Sequence, residues 1–188
     1  WRLAAVRGMF VILFLAVFVI LDQTNISPPI GDLVRAPWNQ SLGFCVASFM
    51  AWRWKVAPLI AIGAILSQLI SQDMPSPVLY GIWMGLVTVF HTVAIVAGGQ
   101  WLESAAPNAF LKDKVSAKLL FSIPITLPCA MLPMAALVVT GSVPTEGFIE
   151  GMLRIFIGDV TGIVILAPLS VLVLTARGAP LCSLKRIF

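Results

Sequence analysis

Six apolar runs joined by short polar connections limit what this chain can become. Free or nearly free of charge, they extend from Gly8 to Leu21, Ala36 to Trp52, Val56 to Gln72, Met74 to Leu102, Leu119 to Thr145 and Val160 to Ala176. A bilayer core about 30 Å thick takes roughly 20 apolar helical residues to cross, and somewhat fewer serve a partly buried segment. Of 188 residues, 60% are hydrophobic and only 11% charged, more apolar and less charged than a soluble domain. The expectation is an all-α integral membrane protein with about six transmembrane helices.

No small-residue cleavage site follows Leu21, so the first run is expected to be a span and not a signal peptide. The chain opens on Trp1, which suggests a piece of something longer. Cys45 and Cys129 fall inside expected spans and Cys182 near the C-terminus, an arrangement that predicts neither a disulfide framework nor a paired metal site.

Orientation follows from the short basic connections. Arg2 and Arg7 precede the first run, and Arg53 and Lys55 separate the second from the third. Lys112, Lys114 and Lys118 separate the fourth from the fifth, while Arg177, Lys185 and Arg186 follow the sixth. These groups share one side, which the positive-inside rule makes cytoplasmic, and both termini are expected there. Of the basic residues only Arg35 and Arg154 fall elsewhere, and the opposite connections hold Asp22, Asp32, Asp73, Glu146 and Glu150. The basic excess is thus accounted for by topology and lipid headgroups, and nucleic acid is not expected as a partner.

The fifth run carries Pro124, Pro128 and Pro133, each of which removes a backbone donor, so this helix is expected to be proline-broken, kinked or interrupted. The second opens on "APWNQSLGF", with Trp38 at the outer interface and Asn39, Gln40 and Ser41 following it into the membrane. A small polar ligand from outside would meet these residues first; an interfacial belt with helix caps is the plainer account of any one of them.

The sixth run extends an unusual stretch, "GMLRIFIGDVTGIVILAPLSVLVL", from Gly151 to Leu174. Charges inside a membrane cost at least ~2.5 kcal/mol, so they face the protein interior and find partners. Arg154 and Asp159 are five residues apart, about 140° around a helix, and do not pair with each other. Helical spacing groups Gly151, Arg154, Gly158 and Gly162 on one stripe, where Gly158 and Gly162 allow close helix packing. Asp159, beside the stripe, needs a partner on another helix. With the fourth span entering from the outer side near Val78 and the sixth near Glu146, His91 and Asp159 are each 13 residues further in, roughly 20 Å along each helix, so a His91–Asp159 hydrogen bond, direct or through water, is expected. A mid-membrane histidine also raises haem ligation, with Met84, Met131, Met134 or Cys129 as second ligand. A single histidine without paired-ligand spacing argues for no cofactor and no metal.

"IGDVTGIVILAPLSVLVL" resembles the Gly-Asp-x-x-Gly-x-x-x-x-x-Pro-Leu signature of the bacterial membrane-associated sensor domain of the first MASE class, on Gly158, Asp159, Gly162, Pro168 and Leu169. Trp38, Gly43, Trp54 and Pro58 are similar to that family's Trp-Pro-x-x-Gly opening and its Trp-Pro-Gly turn, and "TVAIVAGGQWL" to its helix end before a cytoplasmic loop. The likeness runs from about Trp38 to Leu174. It departs at Asn39 and Gln40, where the family has prolines, and at Arg154, Ile155 and Phe156, where tryptophans are usual.

That resemblance implies an N-terminal input module (1–176) whose connector (177–188) leads to a cytoplasmic histidine kinase or a cyclic di-GMP cyclase or phosphodiesterase. It also implies a homodimer through the full-length protein and an unknown small-molecule ligand. The segment itself is not expected to be an enzyme: no Ser, His and acid trio and no carboxylate pair on one face is available. Signal or ligand candidates are Asp159, His91, Arg154, Trp38 and Asn39. The alternative is the substrate-binding component of an energy-coupling-factor vitamin transporter, with Ala4 and Gly8 as a small-residue docking stripe; a third possibility is a passive anchor.

Overall fold

The computed structural model describes residues 2–24, 29–30, 33–34, 39–71, 77–105, 114–141 and 143–176. They form six α-helices: α1 (Arg2–Gln23), α2 (Gln40–Trp52), α3 (Ala57–Ser71), α4 (Pro77–Ala105), α5 (Lys114–Val139) and α6 (Phe148–Ala176). Two residues each of β1 (Pro29–Ile30) and β2 (Leu33–Val34) pair antiparallel between α1 and α2. Short 3-10 turns at Arg53–Lys55 and Thr145–Gly147 lead into α3 and α6.

Polarity runs opposite to that of a soluble domain. Ile12, Leu86, Phe90 and Leu172 are 59–70% exposed, whereas Ser41, Ser48, Ser67, His91, Thr92, Ser122, Thr126 and Asp159 are buried. An outward belt of large apolar side chains matches a hydrocarbon solvent. By length and composition three helical stretches can cross a membrane, Val78–Trp101, Ser122–Val139 and Thr145–Leu172; Gly8–Gln23 and Ala57–Ile70 are shorter apolar helices.

The shortness of α2 has a local cause. Its 13 residues rise only about 20 Å, less than a bilayer core. Asn39 caps it, the side-chain oxygen accepting the Leu42 N–H at 3.2 Å, and Arg53, at φ 54°, ends it. Residues 41–43 and 45–49 are buried, as befits a helix enclosed by others. It packs chiefly on α6 and also touches α4 and α1, while α1 adjoins α3, α3 adjoins α4, α4 adjoins α5 and α5 adjoins α6. Phe14, Phe18, Leu42, Val46, Ile60, Ile95 and Ile163 form one core, against which the partly buried Ile125 of α5 packs; Tyr80, Met134, Leu137 and Val143 form a second, smaller one.

The expected interruption of the fifth helix does not occur. α5 runs unbroken through Pro124, Pro128 and Pro133. In a lipid-facing segment, ending the helix would strand more backbone groups than the three N–H donors that proline lacks, so continuation costs less. Pro124 and Pro128 sit on the exposed face and Pro133 is buried.

Candidate functional site

The second helix meets the sixth through the residues of the Gly-Asp stretch. Gly162 has no Cβ, and one placed there would overlap the Asn39 carbonyl, 2.6 Å from its carbon. The space lets the Asn39 N–H reach the Gly158 carbonyl at 2.9 Å, while Asn39 Nδ2 donates to Asp159 Oδ1 at 2.8 Å. Gly43 repeats the device one turn on, since a Cβ there would lie 2.8 Å from the Gly162 carbonyl carbon. Gly158, Asp159 and Gly162 thus form a cradle for the start of α2. The positive end of the α2 dipole and the amide of its cap both meet the Asp159 carboxyl, which is 4% exposed as a residue.

Further polar contacts extend from this cradle in both directions. Toward α1 and α3, Ser41 Oγ lies 2.7 Å from Asn39 Oδ1 and 2.8 Å from Asp22 Oδ1. The Ser67 hydroxyl donates to Asp22 Oδ2, and Gln23 Nε2 donates to both the Ser67 carbonyl and hydroxyl oxygens at 2.9 Å. Toward α4 and α5, Asp159 Oδ2 faces His91 Nδ1 across 3.8 Å. His91 Nε2 lies 3.1 Å from Thr126 Oγ1, whose own hydroxyl donates to the Ser122 carbonyl at 2.6 Å. One polar chain therefore draws on all six helices.

Hydrogen counting fixes the histidine. Thr126 spends its one hydrogen on Ser122, so toward His91 it can only accept, and Nε2 carries the ring hydrogen. In the neutral ring Nδ1 then turns a lone pair toward Asp159 Oδ2. At 3.8 Å the two do not form the direct hydrogen bond expected from their equal depth, although their levels do match.

The remaining candidates divide. Asn39 joins the network, and Asp159 finds its partner on another helix, as its cost in the membrane requires. Arg154 stays apart: its guanidinium pairs with Glu150 at 2.6 Å on the same helix, with Glu150 60% exposed. Gly151 packs against Met134 of α5, whereas Gly162 serves α2, so the predicted stripe faces two different neighbours. Trp38 and the connector 177–188 lie outside the described residues. Both ring nitrogens of His91 face protein oxygens, so haem ligation would have to disrupt one of those approaches, and Met131 points outward at 44% exposure. Among the described residues, no group of three or more His, Cys, Asp or Glu could hold a metal ion.

Sequence reasoning took Asp22 as a connection charge and passed over Ser67 and Thr126. Their mark was available: each is a polar residue at the end of, or inside, an otherwise apolar helix. No family model, curated protein or solved structure matches this chain.

Proposed function

We propose that the chain is a transmembrane input module that detects a small ligand or a membrane signal and regulates a C-terminal cytoplasmic signalling domain. The observation supporting this reading is the cradle of Gly158, Asp159 and Gly162 around Asn39. Three of the five residues resembling the sensor-family signature, Gly158, Asp159 and Gly162, are those through which α6 holds the start of α2, and α6 continues to Ala176, on the side this reading assigns to the cytoplasm. In this reading all six helices lie across a bacterial inner membrane with both termini inside, and the full-length protein acts as a dimer with a histidine kinase or a cyclic di-GMP enzyme as output. A stimulus acts by favouring one of two arrangements of α6 against α2 and α4, and the open His91–Asp159 approach is where such arrangements differ at least cost.

The test is output activity of the full-length protein in membranes, wild type against Asp159→Asn and Asn39→Ala at equal insertion. The sensory reading expects either variant to shift basal output several-fold. Unchanged output in both would make the segment a passive anchor. The transport reading retains one observation, the open surface at Gly8 on α1; vitamin retention by the purified chain would favour it.

A further inference from the structure

We propose, on the transmembrane reading that puts the α2–α3 turn at the cytoplasmic face, that this turn, Arg53–Lys55, binds the phosphate of an anionic phospholipid headgroup. Arg53 adopts φ 54° and ψ −141°, a conformation that glycine favours, and among the described residues it is the one non-glycine at positive φ. A glycine would close the turn without strain. The side chain kept here is the costly choice, and such backbone outliers collect at binding and functional sites.

Closing the turn takes nothing from these side chains. The Arg53 N–H donates to the Phe49 carbonyl, and the Val56 N–H to those of Arg53 and Trp54. Two indoles brace the arginine from either side. Trp52 stands edge-on to Phe10 of α1 with ring centroids 4.9 Å apart, and Trp54 edge-on to the buried Phe49 at 5.4 Å. Arg53, Trp54 and Lys55 are nonetheless exposed, Trp54 by 66%. A braced frame thus presents two cations and an indole outward, and no carboxylate among the described residues pairs with either cation.

The level of the turn in the bundle suits a membrane surface. Asn39 meets Gly158 and Gly43 meets Gly162, so α2 runs beside α6 in the same direction. The same offset brings Trp52 level with Val171, near the end of α6 at Ala176. Indole rings favour that boundary, and Lys and Arg there meet anionic headgroups. An arginine and a lysine on one short turn match a phosphodiester: the planar guanidinium takes two of its oxygens and the ammonium adds a point charge. The exposed indole of Trp54, seated against the acyl boundary, favours a lipid over a soluble anion.

The experiment is native mass spectrometry of the protein released from nanodiscs of mixed phosphatidylcholine and phosphatidylglycerol. The wild type is expected to retain phosphatidylglycerol in preference, and Arg53→Gln to lower that retention about tenfold. Lys118→Gln, in another basic connection, should leave it unchanged. Arg53→Gly relieves the backbone, so it should lose the lipid while unfolding at no lower a temperature than wild type in detergent, which separates a binding defect from a folding one. Equal retention of the two lipids, an equal loss in Lys118→Gln, a lower unfolding temperature for Arg53→Gly, or release of the lipid by excess inorganic phosphate would overturn the assignment. Orientation is tested apart, by labelling Lys55→Cys in a Cys182→Ser background with a membrane-impermeant maleimide. Labelling from the outer side alone would overturn the transmembrane reading and the lipid site together, whereas labelling from the cytoplasmic side with no lipid preference would overturn the lipid site only.

Discussion

Arg154 and Asp159 are five residues apart on one helix, Arg154 one turn after Gly151 and Asp159 next to Gly158, glycines that a helix wheel would count as part of the same seam. Their surroundings could hardly differ more. Arg154 lies near the start of α6 and is satisfied within its own helix by Glu150, partly in solvent. Asp159 lies deeper, is satisfied by the cap of another helix, and stands at the centre of a polar chain through the bundle. A charge near a helix end can choose a local partner, whereas a charge in the interior organises the elements around it.

The glycines sharpen the comparison and give the largest expected effect. A Cβ at Gly162 meets the backbone of Asn39, which cannot move without uncapping α2. Gly162→Ala is therefore expected to destabilise the protein by about 3 kcal/mol, the upper range for overpacking. The nearest atoms to a Cβ at Gly151 are the terminal methyl, sulfur and Cγ of Met134, a flexible side chain. Gly151→Ala should stay within about 1 kcal/mol of wild type, because the helix propensity of alanine offsets a rotamer change. Thermal unfolding of both variants in the same detergent checks the contrast, and equal losses would break it.

Next in size is the partner of the buried carboxyl. Asn39→Ala removes a cap and leaves the Asp159 oxygen without its donor, a combined loss of about 2 kcal/mol. On the far side of Asp159, Thr126→Val takes the acceptor from His91 Nε2–H and is expected to cost about 1 kcal/mol. Denaturant titration would rank the two, and a Thr126→Val effect larger than that of Asn39→Ala would place the anchor of Asp159 on α4 and α5 instead of α2.

These rankings mark what could be read before the fold was seen. Six apolar runs became six helices, and equal depth brought His91 and Asp159 face to face, because rise per residue is a local property. Asn39 was suspected from its place at the head of a run. The role of Asp22 was hidden, since it depends on α1 and α2 meeting end to side, which no periodicity encodes. The prolines of α5 misled for a related reason. Their local cost is legible in the sequence, but the larger cost of stopping a helix among lipids depends on the surroundings.

The smallest effect belongs to Arg154. Its bond to Glu150 is an i,i+4 pair with the carboxylate on the N-terminal side, the favourable order, but one partner is 60% exposed. Such pairs contribute about 0.3–0.5 kcal/mol and weaken with salt. Arg154→Gln should therefore shift unfolding by no more than about 0.5 kcal/mol, and the shift should shrink as ionic strength rises. Asp159→Asn, in a buried site, should show no such salt dependence. A large, salt-independent loss for Arg154→Gln would mean that the arginine reaches inward after all, and the two ends of α6 would no longer differ in kind.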